Sequence, residues 1–220
     1  MRKETVLVVG LDELATSGYD VSDINQAKLR EIADAMHEAS DDWYWNALQE
    51  VAEENDTLAY VAVQTGDYVV AGQPLIYTEA GESLSEADQT KLREAVFLQQ
   101  GRGFDQDPNL GVVVLTEVAS RALSPAVNDV QTAVDVVHRL SSVFLKAGEA
   151  QHEVRCTHVW IIPQSLEAMF AASFDVIARD GADAGELMAA IVESLGRIEA
   201  MGQGELPKLA RATAARLNLG

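Results

Sequence analysis

The chain has 220 residues, with 16 Lys or Arg against 35 Asp or Glu, so its formal net charge is −19. Because DNA, RNA and anionic lipid need clustered basic residues, this acid excess excludes them as general partners. A content of 48% apolar residues is enough for a sizeable core in one domain. We find neither a signal peptide nor the roughly 18 consecutive apolar residues that span a bilayer. We therefore expect a soluble chain.

Residues 4–83 predict an N-terminal α/β part. The β-branched, apolar residues 4–9 predict a strand. Apolar residues then recur at helical spacing from Ser22 to Met36 and again over about 42–54. After residue 56 the period falls to two, and turns containing glycine separate short apolar segments, which predicts β-hairpins of a small, barrel-like kind. The predicted strands are 57–63, 67–70 and 74–77.

Residues 84–220 predict a mainly helical part. The spacing of apolar residues predicts helices over about 85–99, 108–122, 129–147, 164–179, 184–200 and 206–218. One strand interrupts them, over 153–162, and we expect it to pair with residues 4–9 or with the hairpins. The predicted fold is one domain over 1–220, α+β and helix-rich, with a small mixed sheet.

Three polar clusters lie in an apolar stretch between residues 102 and 133. The first contains Asp105, Gln106, Asp107 and Asn109. The second is Glu117 with Arg121, which are four residues apart on one helix and are expected to form an ion pair.

The third cluster is a turn between two predicted helices, Ser124 to Asp129. Pro125 is expected to end the first helix, because it lacks a backbone donor and restricts the residue before it. Asn128 or Asp129 is expected to cap the second helix by accepting from amides near Gln131 and Thr132.

These segments also resemble those of a known family. Residues 121–133 read R-A-L-S-P-A-V-N-D-V-Q-T-A and are similar to the R-A-L-S-P-x-x-N-D-P-x-T-A signature of bacterial predicted membrane proteins, domain-of-unknown-function family 2254. Val130 departs from it by standing where the family has proline. Further matches to family motifs involve Arg102, 106–108, 66–75, 17–19 and 174–181.

Membership of this family implies membrane-spanning helices ahead of Ser17. The chain is then the extramembrane domain of an inner-membrane protein, and we expect this domain on the cytoplasmic side. The single cysteine, Cys156, cannot form an intrachain disulfide, which is compatible with a reducing compartment. The resemblance implies a location and a fold, and it implies no reaction.

Oxygen ligands make a divalent metal the one cofactor class to consider, and no other cofactor is expected. Carboxylates of Asp105, Asp107 and Asp129 are the candidate ligands. An EF-hand is not predicted, because the glycine falls one residue late and Thr116 occupies the position of the final glutamate.

Two functional hypotheses follow. The first is a non-enzymatic module for ligand binding, sensing or assembly, whose partners are a membrane, an unidentified small ligand and a second copy of the chain. Its working residues are Arg102, Gln106, Asp107, Glu117, Arg121, Ser124, Asn128, Asp129 and Thr132.

The second hypothesis is a metal-dependent hydrolase that uses the three candidate ligands and Glu117 as base. Geometry separates the two hypotheses. Carboxylates that converge on one open pocket favour the hydrolase, whereas carboxylates bonded to backbone amides favour the non-enzymatic module.

Overall fold

The structure, a computed structural model, describes residues 6–7, 43–80, 83–96, 98, 107–149 and 156–219. The predicted helix from Ser22 to Met36 and most of the predicted strand 4–9 lie outside these residues. The described chain falls into two units. The first unit takes the described residues up to 98 together with 156–164, and the second takes 107–149 and 165–219.

The first unit contains a four-stranded sheet. Its strands are β1 (Val6–Leu7), β2 (Ala59–Val61), β3 (Ile76–Thr78) and β4 (Val159–Trp160), in the order β1-β3-β2-β4. Strands β1 and β2 run antiparallel to β3, whereas β4 runs parallel to β2. The strand that precedes Pro163 therefore pairs with the hairpin, and it is much shorter in the described residues than the predicted span 153–162.

Two helices cover one face of this sheet. They are α1 (Trp43–Glu54) and α2 (Glu86–Glu94). Leu48 and Val51 of α1 and Leu92 of α2 are buried in the same apolar cluster as Ala59 and Ile76 of the sheet. The helical spacing of these apolar residues thus has its physical cause in burial against the sheet.

Residues 67–70 were predicted to form a strand, and they do not. They follow a turn in which the Gln64 amide donates to the Asp67 carboxylate at 2.8 Å. The Tyr68 side chain is 91% exposed, so this segment contributes little to the core. Glycines with positive φ, Gly66 and Gly72, stand on either side of it. The barrel-like expectation consequently gains no support from the described strands.

The second unit is helical. Its long helices are α3 (Pro108–Ala122), α4 (Val130–Glu149), α7 (Gly185–Met201) and α8 (Leu206–Arg216). Between α4 and α7 come α5 (Leu166–Phe170), a π-helical turn (Ala171–Asp175) and α6 (Val176–Asp180). Helix α4 packs against α3 and α7, and α7 packs against α8. None of the helices within the described residues combines the length and apolar character needed to cross a membrane.

An aromatic cluster forms part of the core of the second unit. The rings of Phe144, Phe170 and Phe174 lie with centroids 4.4 to 5.9 Å apart. The π-helical turn brings Phe170 and Phe174 to the same side of their helix, facing Phe144 on α4. Arg216 joins α8 to this turn by donating to both carboxylate oxygens of Asp175, at 2.8 and 3.0 Å. The wider turn is therefore fixed both by ring packing and by a bidentate ion pair.

The predicted fold class is confirmed: the chain is α+β and helix-rich, with a small mixed sheet. The first unit contains α2 and residues 156–164 as well as the sheet. The division predicted at residue 84 stays a prediction. That both units make one domain stays a prediction.

Candidate functional site

The first cluster lies at the start of α3. Asp107 is 2% exposed, and its Oδ1 accepts from the Leu110 amide at 3.1 Å. Asp107 is therefore the N-cap of α3, where a negative charge interacts favourably with the helix dipole. The Asn109 Oδ1 atom is buried and has no hydrogen-bond partner among the described residues. The other members of this cluster, Asp105 and Gln106, lie outside the described residues, as does Arg102.

The turn that follows α3 is closed by backbone hydrogen bonds. The Ser124 carbonyl accepts from the amides of Val127 and Asn128, at 3.0 and 2.9 Å, and the Asp129 amide donates to the Ala122 carbonyl at 2.8 Å. Asn128 has a φ of 50°, in the left-handed region that asparagine tolerates better than most residues. Ser124 and Asn128 thus shape the turn through their backbones.

Asp129 caps α4, as the sequence predicted. Its Oδ1 accepts from the Thr132 amide at 3.1 Å, and its Oδ2 accepts from the Thr132 hydroxyl at 2.6 Å. The hydroxyl bond, followed by the amide bond, holds the pKa of the exposed Asp129 carboxyl below its ordinary value. Asp129 and Thr132 therefore form one local unit that starts the helix.

The predicted ion pair between Glu117 and Arg121 is absent from the described part of the chain. Both residues are exposed on α3, and neither makes an ion pair with another described residue. An exposed pair at this spacing is stabilised only slightly in water, because screening and side-chain entropy oppose it. The spacing alone was a weak basis for predicting the contact.

The candidate metal ligands are not brought together where the structure describes them. Asp107 precedes the first residue of α3, and Asp129 follows its end. The helix has 15 residues, which corresponds to a length of about 22 Å at 1.5 Å per residue. One ion cannot bind both carboxylates at that separation, so Asp107 and Asp129 do not share a site. The third predicted ligand, Asp105, lies outside the described residues. No cluster of three His, Cys, Asp or Glu residues able to hold a metal occurs in the described ranges.

The sequence interpretation missed an aromatic row on the sheet. Tyr60 of β2 lies in register with Tyr77 of β3 on one side and with Trp160 of β4 on the other. Their neighbours Ala59 and Ile76 are buried, so alternation directs the three aromatic side chains to the opposite face. Alternation along each strand was a visible signal, but the register between strands was not.

Glu79 lies beside this aromatic row. The Tyr60 hydroxyl donates to the Glu79 carboxylate at 3.0 Å. Desolvation, together with the hydrogen bond and the charge of Glu79, raises the pKa of Tyr60. Tyr60 is therefore neutral and a donor at physiological pH.

An exposed apolar surface adjoins the row. We define the apolar surface as the side chains of Tyr68, Val70, Trp160, Ile161 and Ile162, which are 50 to 91% exposed.

Two hydrogen bonds hold the segments of the apolar surface side by side. The Gln64 side-chain amide donates to the Pro163 carbonyl at 2.8 Å, and the Gln164 side-chain amide donates to the Thr65 carbonyl at 3.2 Å. The two segments that carry these side chains consequently lie next to each other where residues 64–65 meet residues 163–164.

Comparison with known proteins identifies a family that the sequence matches. The sequence profile of DUF2254, described as a predicted membrane protein, matches residues 44–197, which is more than half of the chain. Uncharacterized proteins of Mycobacterium bovis and Mycobacterium tuberculosis are 38% identical to it over 101 residues, covering 44% of this chain. The chain matches only 19% of the length of these relatives. No solved structure matches it significantly.

Proposed function

Because the chain belongs to the DUF2254 family of predicted membrane proteins, we propose that it is a non-enzymatic interaction module in the extramembrane part of such a protein. One observation carries the non-enzymatic part of the proposal. The two described candidate carboxylates, Asp107 and Asp129, each accept from a backbone amide at opposite ends of α3. They are used to start helices rather than to form a reaction centre.

The outer faces of the helical unit support an extramembrane position. Glu193 and Arg197 form an exposed pair at 2.7 Å on α7, and Arg211 of α8 lies 3.1 Å from Glu199. Glu117 adds an exposed carboxylate on α3. Charged side chains on outward faces are costly against lipid and favourable in water. We further propose the cytoplasmic side, with which a chain carrying one cysteine is compatible.

Thermal unfolding of the wild type, Asp129→Asn and Asp135→Asn tests this proposal. Asp135 is a matched control, since it is exposed on the same helix. We expect Asp129→Asn to lower the unfolding midpoint, because its cap is weakened, and Asp135→Asn to leave it near the wild-type value. Mg²⁺, Mn²⁺, nucleotides and inorganic phosphate should shift all three proteins equally.

The difference in unfolding midpoint between the wild type and Asp129→Asn, measured against pH, checks that Asp129 is a helix cap. The pKa of Asp129 is lowered in the folded state, so its contribution is present above the unfolded pKa and is lost as the pH falls through the folded pKa. The gap between wild type and Asp129→Asn should therefore be constant near neutrality and close in acid. A metal that raises the wild-type midpoint but not that of Asp129→Asn contradicts the proposal and favours the hydrolase.

A further inference from the structure

The exposed apolar residues of the described chain are concentrated at one place. Eight large apolar side chains are exposed in the described part of the chain, and five of them make up the apolar surface. Clusters of exposed apolar side chains on a monomer often mark a contact site. Exposed apolar side chains elsewhere, such as Val192 and Met201 on α7, lie outside it.

The apolar surface is poor in charge although the chain is rich in it. Residues 156–164 contain no Asp, Glu, Lys or Arg, and residues 64–76 contain only Asp67. The Asp67 carboxylate accepts from the Gln64 amide in the turn, so it is engaged within its own segment. In a chain with a net charge of −19, this composition marks a surface that meets an apolar or uncharged partner.

The kinds of side chain are those that a bilayer interface favours. Trp160 and Tyr68 each have an apolar ring and one polar hydrogen-bonding group, which suits the boundary between headgroups and acyl chains. Ile161 and Ile162 follow Trp160 directly and are each 50% exposed. The row of Tyr60 and Tyr77 continues from Trp160 across the sheet, adding amphipathic rings beside the aliphatic side chains.

The charge of the chain favours zwitterionic lipid over a second copy of the chain and over anionic lipid. A second copy brings another net charge of −19, and an anionic lipid surface repels the chain in the same way. A zwitterionic surface has no net charge, so only the apolar contact decides binding there.

Building on the proposed extramembrane module, we infer that the apolar surface rests in the headgroup region of a zwitterionic bilayer, with Trp160, Ile161 and Ile162 inserted to the acyl boundary. The first unit then contacts the membrane through the end of its sheet. Such contact is peripheral, and its strength follows the apolar area that is buried.

Co-sedimentation of the whole chain with phosphatidylcholine vesicles tests the inference. The test variant is Ile161→Asp with Ile162→Asp, and the matched control is Val192→Asp with Met201→Asp, which adds the same charges at exposed apolar positions on α7. We expect the wild type and the control to have equal partition coefficients. The partition coefficient of the test variant should be lower by a factor of about ten or more. Circular dichroism and unfolding midpoints establish that all three proteins are folded.

A second readout follows Trp160 directly. Brominated phosphatidylcholine should quench its fluorescence in the wild type, and most of this quenching should disappear in Trp160→Phe. Equal partition of wild type and test variant overturns the inference. So does a dimer, seen by sedimentation velocity, that Ile161→Asp with Ile162→Asp dissociates, since the surface is then an interface between copies. Neither result alters the unfolding behaviour of Asp129→Asn, so the two proposals fail separately.

Discussion

At the scale of single residues, the turn between α3 and α4 shows which atoms matter. Asn128 contributes a left-handed backbone, with φ at 50°, whereas Asp129 contributes its carboxylate to the next helix. The sequence allowed either residue to be the cap. Only the backbone conformation distinguishes the two residues. Asn128, in the left-handed region, ends the turn, and Asp129, which follows it, starts the helix.

Two buried serines allow the value of a hydroxyl hydrogen bond to be measured. Ser141 and Ser173 are both fully buried. The Ser173 hydroxyl donates to the Met169 carbonyl at 2.8 Å, whereas the Ser141 hydroxyl has no hydrogen-bond partner in the part of the chain that the structure describes. We expect Ser141→Ala to raise the free energy of unfolding by about 1 kcal/mol and Ser173→Ala to lower it by about 1 kcal/mol. Urea denaturation measures both, and changes of the same sign contradict the assignment.

At the scale of elements, the helix bounds were largely predictable. Helix α3 has the predicted bounds 108–122, and α7 differs from its prediction by one residue at each end. These helices bury one face, so their apolar residues carry the 3.6-residue period into the sequence. The strands were predicted less well. Residues 67–70 have the aromatic and β-branched composition of a strand, but a strand also needs a hydrogen-bonded neighbour, which local sequence does not specify.

Two glycines distinguish close packing from helix propensity. A Cβ at Gly181 overlaps Leu187 Cδ2 and lies 3.2 Å from Leu123 Cδ1, whereas a Cβ at Gly196, inside α7, meets nothing within 4 Å among the described residues. Because Leu187 is fully buried, Gly181→Ala should lower the free energy of unfolding by about 1–3 kcal/mol. Gly196→Ala should raise it by up to about 1 kcal/mol.

Chemical denaturation of the two glycine variants, side by side, checks this expectation. Gly181 has a negative φ of −114°, so a loss of stability there reports on packing and not on backbone strain. Equal effects at the two positions contradict the close contact with Leu187.

At the scale of the whole molecule, charge dominates the behaviour in solution. A net charge of −19 makes the folded chain repel itself, and salt screens that repulsion over a Debye length of about 30 Å at 0.01 M but only about 8 Å at 0.15 M. We expect the unfolding midpoint to rise with NaCl over this range. Differential scanning fluorimetry measures the trend.

A variant with fewer acids controls for effects of salt other than screening. Glu94→Gln with Glu117→Gln removes two exposed carboxylates, so its midpoint should depend less steeply on salt than that of the wild type. A midpoint that falls with salt in the wild type indicates that attractive ion pairs outweigh the general repulsion.

The sequence by itself determined the α+β class, the helices of the second unit, the family and a cap at Asn128 or Asp129. Each is a local property: helical period, turn chemistry and motif order all lie within short stretches of the chain. It also suggested a metal site, because three aspartates, whose carboxylates are suitable metal ligands, lie within one short stretch of the chain.

Only the tertiary structure decided which of these residues meet. A rigid helix of 15 residues holds Asp107 and Asp129 far apart, which no motif states. In the first unit, strand register aligns Tyr60, Tyr77 and Trp160, although Trp160 lies 100 residues beyond Tyr60 in the numbering. Pairing between distant segments follows from burial and hydrogen bonding summed over the whole fold. The apolar surface therefore could not be predicted from the sequence.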